Sequence, residues 1–180
     1  MATPDHLLLL GARRSGKSRH AEAFVMESGL SPVYVATAEA GDDEMAERIA
    51  AHRSRRGPAW RTMEEPLDLP GAIAVAAVPG SIVLVDCLTL WLSNLMHAGR
   101  DIDAAGTRLI SALGDAAAPV VLVSNEVGAG IVPLNALSRL YADEQGILNQ
   151  RVAASVARVV LMVAGIPLQV KPGQPAGAST

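Results

Sequence analysis

Leu7-Leu8-Leu9-Leu10-Gly11-Ala12-Arg13-Arg14-Ser15-Gly16-Lys17-Ser18 is the stretch that decides the fold. Four successive aliphatics read as a short strand buried on both faces, and the pattern from Gly16 to Glu27 reads as a helix ending near Gly29. Between them, Gly11 to Ser18 satisfies G-x-x-x-x-G-K-[ST] in the setting that motif requires, after a strand and before a helix. Backbone N–H groups of such a loop, together with the helix N-terminus, converge on an anion, and glycines let the chain approach the phosphate oxygens. Lys17 supplies a mobile positive charge and Ser18 a hydroxyl for Mg2+. The chain has only two lysines, Lys17 and Lys171, against thirteen arginines, so a lysine at this motif position supports a specific role. The competing reading is a glycine-rich turn without a ligand.

Working outward, further aliphatic runs bounded by turn signals recur at Val33 to Ala36, Ile73 to Val75, Ile82 to Val85, Val120 to Ser124 and Val159 to Val163. These are the expected strands of a parallel sheet. Helical patterns fill the gaps at Asp42 to Arg55, Asp101 to Leu113, Asn135 to Leu140 continuing towards Arg151, and Gln150 to Arg158. The alternation predicts an α/β fold with helices on the sheet faces. Residues 1–171 form one expected domain, and the small and polar residues of 172–180 an expected flexible tail.

Composition agrees. The 180 residues are 50% hydrophobic, 3% aromatic and 18% charged, with a net charge of −3, which fits one globular domain and excludes disorder or a fibre. A single cysteine, Cys87, predicts neither a disulfide nor a structural zinc site and fits a reducing cytoplasm. The richest apolar stretch, Ala72 to Met96, is broken by Pro79-Gly80 and carries Asp86, so no membrane insertion is expected. Near-neutral charge argues against a nucleic-acid binder. Locally, Arg48, Arg53, Arg55, Arg56 and Arg61 share a stretch without acidic residues, which suggests an anionic ligand there.

Three further groups carry chemistry. Asp86 ends the run Ile82-Val83-Leu84-Val85, either as a carboxylate holding the water shell of a metal beside the phosphates or as the N-cap of the next helix. His52 shares a predicted helix face with Arg48, Arg55 and Arg56. Those cations lower the imidazole pKa from about 6.5 and leave a neutral, nucleophilic ring able to attack a nucleotide phosphorus; the alternative is a surface or packing histidine. His6, His20 and His97 have less to recommend them. Asn125 and Glu126 follow a strand and precede Gly128 and Gly130, where they would bind substrate or position a base, or form a tight turn whose glutamate caps a helix. In an open parallel sheet Lys17, Asp86 and Glu126 converge on the edge formed by the strand carboxyl ends. Asn149-Gln150-Arg151 reads as a solvated helix surface.

The ordered set Gly11 to Glu22, Tyr34 to Ala38, Asp43-Glu44-Met45 with Arg48-Ile49 and His52-Arg53, Trp60-Arg61-Thr62, Asp86 to Thr89 with Asn94-Leu95, Asn125 to Gly128 with Gly130 to Pro133, and Asn149-Gln150 closely resembles the bifunctional adenosylcobinamide kinase / adenosylcobinamide-phosphate guanylyltransferase family. The resemblance covers about residues 7 to 171. It implies a P-loop NTPase (RecA-like) fold with a mainly parallel sheet flanked by helices, and a cytoplasmic homotrimer acting in cobalamin biosynthesis. The implied kinase phosphorylates adenosylcobinamide with ATP or GTP; the implied transferase passes GMP from GTP through a histidine to adenosylcobinamide phosphate. On this resemblance His52 is the guanylylated histidine and Lys17 the phosphate-loop lysine. Gly11, Ala12, Arg13, Arg14, Ser15, Gly16, Lys17 and Ser18 hold nucleotide, with Ala36, Thr37 and Ala38 beside them. Arg53, Ser54, Arg55, Arg56 and Glu64 form the guanine-nucleotide region, and Ser18 and Asp86 the Mg2+ ligands. Two departures stand out. Ala12 and Arg13 replace the family's Gly and Ala, adding bulk and charge near the phosphates, and Ala51-His52 stands where some members have two histidines. The remaining alternatives are a P-loop small-molecule kinase and a nucleotide-switched binding module, both lacking guanylyltransferase activity.

Overall fold

The computed structural model describes residues 4–38 and 57–173. The leading aliphatic run is strand β1 (Leu7–Gly11), followed by helix α1 (Lys17–Glu27) and β2 (Ser31–Ala36). Then come β3 (Arg61–Glu64), α2 (Leu69–Ala76), β4 (Ser81–Asp86), α3 (Leu88–His97), α4 (Ile102–Asp115), β5 (Val120–Val123), α5 (Ala136–Ser155), β6 (Arg158–Val163) and β7 (Ile166–Pro172). The strands form one sheet in the order β3-β2-β4-β5-β1-β6-β7. Every pairing is parallel except β6 with β7.

Side chains alternate across the sheet because successive strand residues point to opposite faces. Leu8, Val83, Val85, Val120 and Leu122 bury one face against Leu69 and Ile73 of α2, Trp91 and Leu92 of α3, Leu109 and Leu113 of α4, and Leu148 and Val152 of α5. Leu7, Leu9, Ile82, Leu84, Val121 and Val123 bury the other against Ala21 and Val25 of α1. Both faces are therefore dry at the central strands, which is why those strands read as unbroken aliphatic runs.

Helix starts follow side-chain chemistry. Asp101 accepts from Ala104 N at the head of α4, and Asn135 accepts from Leu137 N and Ser138 N at the head of α5. These bonds satisfy backbone donors that the first helical turn leaves without partners. Gly99, at φ +61°, terminates α3, and Arg100 N donates back to Leu95 O. His6 is buried before β1, where Nε2 donates to Leu113 O and Nδ1 accepts from Val120 N, so it holds β1 to β5 and α4.

Several boundaries differ from the sequence reading. The expected strand Ile73 to Val75 lies inside α2. Leu69, Ala72, Ile73 and Ala76 are buried at helical spacing, and Pro70 sits at the head of the helix, where a missing N–H costs nothing. The two expected helices between Asn135 and Arg158 are one, α5, and Arg158 already belongs to β6. Strands β3 and β7 and helix α3 have no counterpart in the sequence reading. β7 returns antiparallel from β6 through Ala164 and Gly165, both at positive φ, the two-residue geometry suited to the twist of a hairpin. The expected helix Asp42 to Arg55 lies outside the described residues, as do residues 174–180 of the expected tail; Pro172 itself ends β7.

Candidate functional site

The loop between β1 and α1 owes its shape to backbone conformations that few side chains tolerate. Gly11 has φ +149°, Gly16 φ +95° and Arg14 φ +59°. A Cβ on Gly11 would lie 2.7 Å from Met162 O and 2.8 Å from Ser15 Oγ, so no larger residue fits without displacing β6. Gly16, left-handed, forms the N-cap of α1, and His20 N donates to Gly16 O as the first helical turn closes. Ser15 N donates to Ala12 O, and the hairpin residue Gly165 donates its N–H to Ser15 O from the outside.

Lys17 folds back over this loop. Its Nζ donates to Gly11 O at 2.9 Å, Ala12 O at 2.7 Å and Ser15 Oγ at 3.4 Å, and the residue is only 6% exposed. Burial lowers its pKa from the usual lysine value, against the opposing attraction of the Asp86 carboxylate. The ammonium is thus desolvated and aimed at the loop, an arrangement chemically able to exchange carbonyl partners for the oxygens of an anion. Ser18 is half-buried in the first turn of α1, while Ala12, Arg13 and Arg14 are exposed.

Asp86 is the last residue of β4 and pairs in register with Ala36 of β2 and Val123 of β5. The N-cap of α3 is Cys87, so Asp86 is not the cap that one reading of the sequence allowed. Because β5 lies between β4 and β1, the chain leaving β5 emerges between Asp86 and the phosphate loop. That segment carries Asn125 and Glu126. Glu126 N donates to Gly11 O, Asn125 N to Thr89 Oγ1, and Asn149 Nδ2 to Asn125 O. Glu126 caps no described helix; its carboxylate is exposed at the edge.

Thr37 is placed differently from a residue that touches ligand through its hydroxyl. Fully buried, it donates from Oγ1 to Cys87 O at 2.8 Å and accepts from Cys87 N at 2.9 Å. Asn94 Nδ2 donates both to Thr37 O and to Pro66 O, tying the end of β2 to the chain just beyond β3. Burial, then the Asp86 charge, pushes the Cys87 thiol up to about 11, so it is a neutral packing group. Ala36 O accepts from Glu65 N, and Glu64 stands in register with Ala36 at the end of β3, on the same carboxyl edge. Ala38 is half-buried at the end of that described segment. His52, Arg53, Ser54, Arg55 and Arg56 lie outside the described residues.

Sequence reading missed the polar support beneath this edge. Tyr141 donates its hydroxyl to Thr89 O, and burial pushes its pKa up to about 12, keeping it a donor. Asn149 is not a solvated helix residue: it is buried, together with Gln145 and Ser124, whereas Gln150 is exposed. The one signal in the sequence was helical spacing, since Gln145, Leu148, Asn149 and Val152 form the buried stripe of α5.

The donor set fits Mg2+. This ion takes hard oxygen ligands through one or two carboxylates plus substrate phosphates and keeps several waters, so it needs no all-protein cage. Ser18 and Asp86 supply a hydroxyl and a carboxylate around the loop, and no cluster of three or more His, Cys, Asp or Glu that could hold a metal occurs among the described residues.

A family model described as "Cobinamide kinase / cobinamide phosphate guanyltransferase" matches residues 7–170. The "Bifunctional adenosylcobalamin biosynthesis protein CobP" of Pseudomonas aeruginosa is 50% identical over 170 residues, which cover 93% of this chain and 98% of that protein. The "Bifunctional adenosylcobalamin biosynthesis protein CobU" of Escherichia coli K12 is 41% identical over 180 residues, covering 92% and 99%. Among solved structures, the RadB recombinase superposes with a TM-score of 0.52 at 17% identity, over 88% of this chain and 74% of that one. A KaiC-like protein of Pyrococcus horikoshii OT3 gives 0.52 at 14% identity, over 87% and 70%. At such identities the structural likeness concerns the fold alone: a RecA-like, mostly parallel sheet flanked by helices.

Proposed function

The chain belongs to the cobinamide kinase / cobinamide phosphate guanyltransferase family, and from that membership we propose how its residues divide the two reactions. It is a bifunctional enzyme of adenosylcobalamin biosynthesis. The observation that carries the assignment is the buried Lys17 ammonium, held by the carbonyls of Gly11 and Ala12, with the Asn125–Glu126 strand end between it and Asp86.

In the kinase step the aminopropanol hydroxyl of adenosylcobinamide attacks the γ-phosphorus of ATP or GTP. The bond to the β-γ bridging oxygen breaks, and the hydroxyl proton passes to a carboxylate, for which Glu126, Asp86 and Asp43 are the candidates. Lys17 and the loop N–H groups neutralise and orient the phosphates, and charge stabilisation with in-line positioning supplies most of the acceleration in such transfers. Ser18 and Asp86 would hold Mg2+, which when bound screens the charge shared by the β- and γ-phosphates. In the transferase step a ring nitrogen of His52 attacks the α-phosphorus of GTP and pyrophosphate leaves. The phosphate of adenosylcobinamide phosphate then takes the GMP, giving adenosylcobinamide-GDP and a free histidine. Arg53, Ser54, Arg55, Arg56 and Glu64 contact the guanine nucleotide in this reading.

We further place residues 1–171 in one domain and the enzyme in the cytoplasm; among the described residues no helix is long and apolar enough to cross a membrane. A homotrimer is supported by Ile131 and Leu134, 98% and 100% exposed beyond β5, which a second subunit would cover.

The test is incubation with α-labelled GTP. Label is expected to remain on the denatured protein, to be lost in mild acid as from a phosphoramidate, and to disappear in His52→Ala while cobinamide phosphorylation persists. Label that survives mild acid removes the histidine route, and loss of both activities in His52→Ala makes the residue structural.

A further inference from the structure

Three buried polar side chains lie beneath the strand end that separates the phosphate loop from Asp86, and neither the kinase nor the transferase step uses them. Ser124, at the end of β5, and Gln145, on α5, are fully buried, and Asn149, one turn further along α5, is 5% exposed. They close a ring of hydrogen bonds. Ser124 Oγ donates to Asn149 Oδ1 at 2.6 Å, and Gln145 Nε2 donates to Ser124 Oγ at 3.0 Å and to Asn149 Oδ1 at 3.1 Å. The partners fix the amide orientation of Asn149, since Oδ1 receives two donors and Nδ2 must face an acceptor. That acceptor is Asn125 O, at 3.1 Å.

Gln145 contributes both its amide hydrogens to the ring, while its Oε1 is buried without a hydrogen-bond partner among the described residues. An apolar side chain of similar shape would spare the fold that burial cost, so the glutamine is explained by its two donors. Those donors orient Asn149, and Asn149 grips the backbone of Asn125. The next residue, Glu126, gives its N–H to Gly11 O, the first residue of the phosphate loop. A continuous set of bonds thus runs from the core of α5 to the loop that holds nucleotide.

We propose that Asn149, oriented by Ser124 and Gln145, is a positioning residue for phosphoryl transfer: it fixes Asn125 and Glu126 against the phosphate loop and thereby sets the alignment of the phosphate being transferred. This rests on the proposed kinase reaction. Asn149 touches no substrate. Its influence falls on alignment during the reaction more than on nucleotide affinity, because Lys17 and the loop amides hold the phosphates by themselves.

The experiment compares wild type with Asn149→Ala, measuring steady-state cobinamide phosphorylation, thermal unfolding, and amide hydrogen exchange of the segment 124–127 in the nucleotide-free protein. The expected result is a fall in kcat of about 10-fold or more, as small misplacements produce, with the KM for nucleotide within about 3-fold of wild type. Exchange at 124–127 should quicken. Gln145→Met keeps the bond from Asn149 to Asn125 and the Ser124 contact but removes the bracing from Gln145, so it should lower kcat about 3-fold and serves if Asn149→Ala fails to fold. The double variant should lose no more than Asn149→Ala alone, because the two side chains act through one bond. An unchanged kcat accompanied by a lower unfolding temperature overturns the proposal, leaving a structural network. A raised KM with kcat unchanged overturns it too. Wild-type protein that phosphorylates no cobinamide defeats the kinase reading instead, and the exchange measurement still decides whether Asn149 fixes this strand end: unchanged exchange in Asn149→Ala says it does not.

Discussion

Replacing Thr37 with Val exchanges one hydroxyl for a methyl of nearly the same shape at a fully buried position, so the hydrogen bonds of that hydroxyl are what the substitution removes. The two bonds are unequal in consequence. Cys87 O keeps a second donor, Trp91 N at 3.2 Å, whereas Cys87 N–H gives its hydrogen to Thr37 Oγ1. Thr37→Val therefore strands a buried backbone donor, which costs about 1–3 kcal/mol. At a middle value of about 2 kcal/mol, and about 2–4 °C per kcal/mol for a chain of this length, the unfolding temperature should fall by about 4–8 °C. Thr37→Ser keeps both bonds and loses one methyl, about 0.8 kcal/mol of burial, so it should lie between wild type and Thr37→Val. Thermal unfolding followed by far-ultraviolet circular dichroism, without nucleotide because bound ligand would raise every midpoint, reads the order directly. A Thr37→Val protein that unfolds within about 1 °C of wild type, or above Thr37→Ser, refutes the assignment of Thr37 as the bracket of the Cys87 backbone.

Lys17→Ala should abolish detectable cobinamide phosphorylation and weaken nucleotide binding, as titration with a fluorescent GTP analogue would show; binding equal to wild type would remove Lys17 from the phosphate site. Burial lowers the His6 pKa below 6.5, so between that lowered value and 6.5 the unfolded chain binds a proton that the folded chain does not. Stability should fall as pH drops through this window and be independent of His6 above it. His6→Gln should flatten the dependence of the urea midpoint on pH below 6.5, and an unaltered slope would contradict the buried neutral ring. With its thiol pushed up to about 11 and buried, Cys87 should resist iodoacetamide in mildly alkaline buffer in the folded protein and react once urea unfolds it; equal rates in both states would refute this.

The central sheet was legible because β1, β4 and β5 are buried on both faces and so appear as uninterrupted aliphatic runs. The phosphate loop was legible because its left-handed turns need glycine at fixed spacing. Periodicity failed where composition was too uniform: Ala72 to Ala77 is almost all small and apolar, and Ile73 to Val75 resembles a strand as much as the helix it forms. It failed again at the edges, since β3 and β7 carry charged or exposed residues and depend on neighbours rather than on their own pattern. Lys17, Asp86 and Glu126 were placed correctly at one edge by the rule for strand carboxyl ends. The roles of Thr37, Asn94 and Asn149 were hidden, because a polar residue that braces a backbone across the fold looks in sequence like one that faces water.

The strand order also dictates when the loop between β1 and α1 can take its shape during folding. β1 comes first in the sequence, yet its two neighbours are β5 and β6, and the His6–Val120 bond at its start spans 114 residues. Closing so long a loop must precede any reward from the contacts it allows, and topologies of this kind fold slowly. The phosphate loop is consequently synthesised early and shaped late. Until β5 and β6 flank β1, Gly11 lacks both Met162 beside it and the Glu126 N–H on its carbonyl, so the loop takes its final shape only after most of the chain has left the ribosome.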